Sequence, residues 1–363
     1  MKDLARNAIS GLPEYIPGKQ VEEVVKEFKL KEVVKLASNE NPLGPSPRAV
    51  EALKKYSDTL HIYPDQHHLL LREALAGKFS VPKESVIVGN GSDEIMLLIA
   101  QVFLSAGDEA IISRNTFSMY EFVTKIMDGR PVFVDLKDHS YDLQGILNAV
   151  TERTKLVFLC NPNNPTGTIF TGDRFSEFMD RLPENIIVVM DEAYGDFADS
   201  REYPRSIDHV KSGKNLIILK TFSKIYGLAA LRVGYGISTP MIIKYLNLAK
   251  LPFNVNRLAQ YSALEALKDE EFLTRTLRNN SEGKRYLYDE FRKMGLKFAE
   301  TQANFIFIDL GRESDTVFID LMRQGVIIRP LRSFGLPNAV RVTIGTMPQN
   351  EKFVQAFKKV LGK

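Results

Sequence analysis

The stretch best equipped for chemistry is Leu216-Ile-Ile-Leu-Lys-Thr-Phe-Ser-Lys224-Ile-Tyr-Gly227, followed by Leu231-Arg232-Val-Gly-Tyr-Gly236. An apolar run over 216–219 gives way to a short polar loop carrying Lys224, and a second apolar run, 233–237, follows at once. A lysine placed this way has one distinctive use, because only a primary amine can form and exchange an imine with an aldehyde cofactor. The amine attacks in its neutral form, whereas a free lysine, with a pKa of ~10.4, is mostly charged at neutral pH. A working site must therefore desolvate Lys224 or set positive charge beside it. Arg232, eight residues on, can supply that charge and can also pair with a phosphate. Taken alone, such a lysine is equally an ordinary exposed side chain beside a loop. Arg329, ending Gly325-Val-Ile-Ile-Arg329, and Arg341, opening Arg341-Val-Thr-Ile-Gly345, carry planar guanidinium groups that grip carboxylate or phosphate with two bonds. Either could instead be a plain ion-pair partner.

The elements that must position these groups read as alternating strands and helices. Strands are expected near 109–113, 131–135, 155–160, 186–190 and 215–220, which predicts an α/β fold with a mostly parallel central sheet. Ligands of such sheets bind beyond the carboxyl ends of the strands. The polar motifs fall there: Gly91-Ser92, Asn164, Asp191 and Lys224. The segment Val86 to Ile95 reads as strand, glycine turn and helix, with Ser92 or Asp93 as the expected cap and apolar side chains at Ile95, Leu98, Ile99, Val102 and Phe103. A turn of this kind presents free N–H groups to an anion. It is not a dinucleotide fingerprint, because Glu94 stands where the third glycine would be.

Upstream, a helix is expected over Val21 to Lys31. Ser38-Asn-Glu-Asn41-Pro-Leu-Gly-Pro-Ser-Pro47 is too dense in turn formers for regular structure and reads as a loop beside the site. Ser46 and Pro47 then open a helix through Tyr56, and Tyr63-Pro-Asp65 precedes another over Leu69 to Phe79. Downstream, 256–292 is helical, and strands follow near 304–309, 326–329 and 340–344. The predicted division is a large domain over 38–270 and a small one built from 1–37 and 271–363.

A length of 363 residues accommodates that division, and 44% hydrophobic with 26% charged residues is the composition of a soluble globular chain. The formal net charge is only +3, with lysines interspersed among acids, so no nucleic-acid surface is indicated. The single cysteine, Cys160, follows Leu156-Val-Phe-Leu159; it cannot form an intrachain disulfide and is expected inside a strand. The N-terminus lacks an apolar signal core, and the longest apolar stretch, Ile95 to Leu104, is too short to span a membrane. A cytoplasmic protein with no metal site is the expectation.

Ser223-Lys224-Ile-Tyr-Gly227 with Arg232-Val-Gly234 resembles the lysine segment of the pyridoxal-phosphate (PLP) aminotransferases of fold type I. Asn161-Pro-Asn-Asn164-Pro-Thr-Gly167 and Asp191-Glu-Ala-Tyr194 resemble the same family's upstream motifs, in the same order. The resemblance implies that family's fold, with a mostly parallel sheet flanked by helices and a smaller α+β domain. It assigns Lys224 to the cofactor aldehyde and to proton transfer, Asp191 to the pyridine nitrogen, and Asn164 and Tyr194 to the ring hydroxyl. For the cofactor phosphate it implies the backbone around Gly91, Ser92 and Asp93, with Thr221, Ser223, Arg232 and Tyr63. In the family the tyrosine matching Tyr63 reaches over from the neighbouring subunit, so a homodimer is implied. Phe117 matches a ring stacked on the cofactor. The family often has proline before Thr116 and tyrosine after it; here Asn115 and Phe117 stand in those places, which keeps stacking and loses a hydroxyl contact.

Tyr15-Ile-Pro-Gly-Lys19, Glu22-Glu23-Val24 and Leu36 to Pro47 resemble the histidinol-phosphate aminotransferases, and the likeness runs over nearly the whole chain. It implies amino-group transfer between L-histidinol phosphate and 2-oxoglutarate in histidine biosynthesis, with Tyr15, Asn41, Arg329 and Arg341 at the substrate. One departure is Pro13-Glu14-Tyr15, where relatives commonly place proline directly before the tyrosine. Rival readings on the same scaffold are an aromatic aminotransferase and a decarboxylase of a phosphorylated amino acid. A non-catalytic PLP-binding sensor is disfavoured, since the residues before the Pro/Gly loop are too few for a separate DNA-binding head.

Overall fold

Strands buried on both faces cannot alternate polar with apolar residues; they read as near-continuous apolar runs. Val86–Gly89, Glu109–Ser113, Ile187–Asp191, Leu216–Thr221 and Gly234–Ile237 are of this kind, buried at every position. The computed structural model, which describes Leu4, Arg6 to Ser10, Leu12 and residues 18–363, gathers them into one sheet. Its seven strands lie in the order 86–89, 234–237, 216–221, 187–191, 154–160, 109–113, 130–134. The pairs from 216–221 across to 130–134 are parallel. Gly234–Ile237 runs antiparallel to both neighbours, because only a loop with one short turn, Ala229–Leu231, joins it to the preceding strand.

Around this sheet one hydrophobic cluster collects buried side chains from Ala49 to Ala266. A second joins Leu36 to side chains between Leu287 and Phe357, around a four-stranded antiparallel sheet ordered 329–330, 339–343, 305–309, 297–298. The helix Glu270–Lys293, 24 residues long, runs between the two. Val34–Lys35 pairs in parallel with Val326–Ile327, which ties the early chain to the second cluster.

Differences from the sequence reading are local. The helix from Val21 ends at Phe28, because Lys29 turns left-handed (φ 54°) and its N–H closes onto the Val25 carbonyl. The stretch 326–329 divides between two sheets at Ile328. Neither Ser92 nor Asp93 caps its helix: Gly91, at φ 81°, is the cap residue, Ser92 is the first helical residue, and no side chain closes the first turn. Ser46 does cap the helix Pro47–Tyr56, accepting from Ala49 N at 3.4 Å while its hydroxyl donates to Asp269 at 2.6 Å. Among the described residues no helix is long and apolar enough to cross a membrane, and no group of three His, Cys, Asp or Glu side chains could hold a metal ion.

Candidate active site

A cavity of about 710 Å³ opens beyond the carboxyl ends of the central strands, lined by Lys224, Asp191, Tyr194, Asn164, Phe117 and Arg341 among others. Lys224 sits in the loop after Leu216–Thr221, and that loop is tied down locally. Thr221 Oγ1 accepts from Ser223 N at 3.0 Å, and Gly227 N donates to the Lys224 carbonyl at 3.2 Å. Gly227 is left-handed (φ 69°), and a Cβ there would run into the Gly44 backbone, so the Pro/Gly loop lies directly on the lysine loop. Lys224 Nζ donates to the Ser38 carbonyl at 3.0 Å and stands 5.7 Å from the centre of the Tyr194 ring. Burial brings its pKa down to about 8, with the Arg341 and Arg232 guanidinium groups adding to the shift. Desolvation and neighbouring positive charge, either of which the sequence reading required for a usable amine, are both present.

Asp191 ends its strand with Oδ2 accepting from the Tyr120 hydroxyl at 2.7 Å and Oδ1 from Ala193 N at 3.0 Å. Burial still lifts its pKa to about 6, so this carboxylate stands in a place that favours a cationic partner. Tyr120 is held by stacking on Phe158 at 5.0 Å and by the edge-on ring of Phe117 at 5.7 Å. Asn164 Oδ1 accepts from Arg341 Nη1, and Arg341 Nη2 donates to the Ala37 carbonyl at 2.8 Å. The Arg341 guanidinium also lies 5.3 Å from the centre of the Phe305 ring. The Tyr194 hydroxyl accepts from Asn39 Nδ2 at 2.9 Å, and burial raises its pKa to about 12.

At the start of the helix Ser92–Phe103 the backbone comes up against Arg232. Gly91 has φ 81° and ψ 170°, a backbone conformation that favours glycine, and Arg232 Nη2 lies 2.8 Å from where a Cβ would stand. Arg232 pairs with Asp93 at 3.3 Å and donates to the Ala229 carbonyl at 3.2 Å. Ser92, Asp93, Thr221, Ser223 and Arg232 all line the cavity. An uncapped helix N-terminus, three hydroxyls and a guanidinium make a corner suited to a phosphate.

Two of the expected residues stand elsewhere. Asn41 does not line the cavity: its amide donates to the Ile225 carbonyl at 2.9 Å and to Thr276 at 3.2 Å, bracing the lysine loop from behind. Tyr63 is 76% exposed, stacked on Phe253 at 4.7 Å, and lies outside its own chain's cavity. Tyr15 falls outside the described residues. Arg329 does line the cavity, with Nη2 3.4 Å from Ser333 Oγ. Sequence reasoning missed Tyr120 and Asn39, which fix Asp191 and Tyr194. Tyr120 reads as an ordinary apolar-face residue of its helix, although Asn39, in the Pro/Gly loop, stood in plain view.

The family described as aminotransferase class I and II matches residues 31–357. A histidinol-phosphate aminotransferase of Moorella thermoacetica is 50% identical over 357 residues, covering 98% of this chain and 92% of its own length. One of Caldicellulosiruptor saccharolyticus is 43% identical over 356 residues, covering 98% and 99%. The crystal structure of the Sinorhizobium meliloti histidinol-phosphate aminotransferase, in complex with pyridoxal-5'-phosphate, superposes with a TM-score of 0.90 at 26% identity, over 99% of this chain and 98% of that one. A double mutant of the Thermus thermophilus aspartate aminotransferase shares the fold, with a TM-score of 0.85 at 22% identity over 99% and 100%. A partly buried amine, a buried carboxylate and a phosphate-ready corner in one cavity agree with these likenesses, and the chain belongs to the class I and II aminotransferases, in the histidinol-phosphate aminotransferase family.

Proposed function

We propose that this chain moves an amino group between L-histidinol phosphate and 2-oxoglutarate, using pyridoxal 5'-phosphate, as a cytoplasmic enzyme of histidine biosynthesis. The observation that carries the reading is the pairing, in one cavity, of Lys224 with its pKa brought down to about 8 and Asp191 with its own raised to about 6. The donor set fits the cofactor: Asp191 offers a buried carboxylate to a ring cation, and the uncapped first turn at Gly91 and Ser92, with Arg232 beside it, offers donors to a phosphate. When bound, the cofactor supplies an electron sink for charge developing on the substrate carbon.

The remaining work falls to the chain. Asp191 would hold the ring nitrogen, Asn164 and Tyr194 the ring hydroxyl, and Phe117 the ring face. The first turn at Gly91, Ser92 and Asp93, with Thr221, Ser223 and Arg232, would hold the phosphate. Lys224 Nζ would carry a proton between the amino-bearing substrate carbon and the cofactor carbon, a task that suits an amine with a pKa of about 8. Arg341 and Arg329 would grip the phosphate of one substrate and the distal carboxylate of the other. The proposed division into 38–270 and the two flanking segments sets these arginines on the small domain, facing the cofactor site.

The proposed assembly is a homodimer in which Tyr63 serves the neighbouring subunit's phosphate corner; its exposure in a single chain supports this. The partners are small molecules, with neither nucleic acid nor membrane. The deciding experiment incubates pure protein with histidinol phosphate and 2-oxoglutarate and measures glutamate, with phenylalanine as a parallel donor. Glutamate from histidinol phosphate is expected. No glutamate from histidinol phosphate, or glutamate from phenylalanine alone, would overturn the reading. Replacing Arg341 with Ala should weaken both substrates together.

A further inference from the structure

Asn115 stands in the turn between the strand Glu109–Ser113 and the helix Met119–Ile126. Its φ is 55°, a left-handed value that asparagine tolerates and the proline ring cannot reach. From behind, Asn163 Nδ2 donates to the Asn115 carbonyl at 3.3 Å. In front, Asn115 Nδ2 donates to the Phe334 carbonyl at 2.7 Å. Phe334 closes the short turn Arg332–Phe334, and Ser333 of that turn accepts from Arg329 Nη2 at 3.4 Å. Phe117 lines the cavity on one side of this bond, and Ser333, Phe334 and Arg329 line it on the other. One amide thus fastens the segment bearing Phe117 to the segment bearing Arg329.

We propose that Asn115 is a positioning residue, whose amide holds the 332–334 turn, and through Ser333 the Arg329 guanidinium, ready for the anionic end of the substrate. The proposal rests on the reading of Arg329 as a substrate contact. A turn already fastened need not be ordered when substrate arrives, so the bond acts on affinity. Lys224 and Asp191 have their own partners, so the bond leaves the chemical step alone.

Two variants of the cofactor-loaded protein test it. Asn115→Gly keeps the left-handed backbone and deletes the donor. Asn115→Asp keeps the shape and offers no N–H to the carbonyl. In both, the KM for histidinol phosphate and for 2-oxoglutarate should rise ~3–10-fold, the range of one neutral hydrogen bond, with kcat within about twofold. Amide hydrogen exchange across 331–336 should quicken in the substrate-free protein. Unchanged exchange, or a fall in kcat with KM unmoved, would overturn the proposal. A wild-type protein with no turnover of histidinol phosphate would sink the functional reading instead, and the exchange comparison would still decide the role of Asn115.

Discussion

At the scale of single residues, the site turns on two groups whose protonation the fold has displaced in opposite senses. Lys224 titrates near 8 in the fold against the ordinary 10.5 of an unfolded chain. Below about pH 8 it is charged in both states, so the folded protein bears the whole cost of burying it; above about pH 10.5 it is neutral in both and the cost is gone. In cofactor-free protein, Lys224→Met should therefore stabilise the fold most below pH 8, and the advantage should shrink as pH rises toward 10.5. Urea midpoints of both proteins at about pH 7 and pH 10 check this, and an advantage that grew with pH would contradict it. Lys224→Ala should likewise keep its circular dichroism and lose turnover. For Asp191 the proposed role rests on its charge. Asp191→Asn preserves an acceptor for the Tyr120 hydroxyl but not the negative charge, so kcat should fall ~10²–10³-fold with the fold intact. A loss under tenfold would mean that the ring nitrogen needs no carboxylate.

At the scale of elements, the lysine loop keeps its place because another loop lies on it. Gly227→Ala would place a methyl group against the Gly44 backbone at a left-handed position, so it should cost more than the ~1–2 kcal/mol that handedness alone exacts. Gly213 is the control: it is equally left-handed (φ 82°), with nothing within 4 Å of where a Cβ would stand, so Gly213→Ala should cost only the smaller amount in denaturant titrations. The same contrast explains what could be read from the sequence. Apolar runs and turn residues are local signals, so the strands of the central sheet, the Ser46 cap and the strand-end positions of Asp191 and Lys224 were all legible. The roles of Asn41, Tyr120 and Asn115 depend on partners far along the chain: Ile225 and Thr276, Asp191, and Phe334. No local pattern carries such pairings. The expected cap at Ser92 or Asp93 failed because the chain enters the helix through Gly91, at φ 81° and ψ 170°, which puts Ser92 inside the first turn.

At the scale of the whole molecule, Tyr63 is the residue a single chain leaves unexplained. It is among several large apolar side chains exposed along two mutually packed segments, with Leu60 and Ile62 beside it and Leu248, Leu251 and Phe253 opposite. The segments are joined by the Tyr63–Phe253 stack and by bonds from Arg257 to Thr59 and to the Tyr63 carbonyl. Exposed apolar surface of this extent favours a partner, and the proposed partner is a second copy whose cofactor site receives Tyr63. A mixing experiment tests this without a further structure. Lys224→Ala lacks the amine but keeps Tyr63, whereas Tyr63→Ala keeps the amine and should lose most cofactor affinity and activity. If the two are unfolded together and refolded at equal amounts, random pairing makes about half of the dimers hybrids. Each hybrid has one site with both residues intact and one with neither, so activity should recover to about a quarter of wild type. If Tyr63 served its own chain, every hybrid site would lack one of the two residues, and mixing would restore nothing.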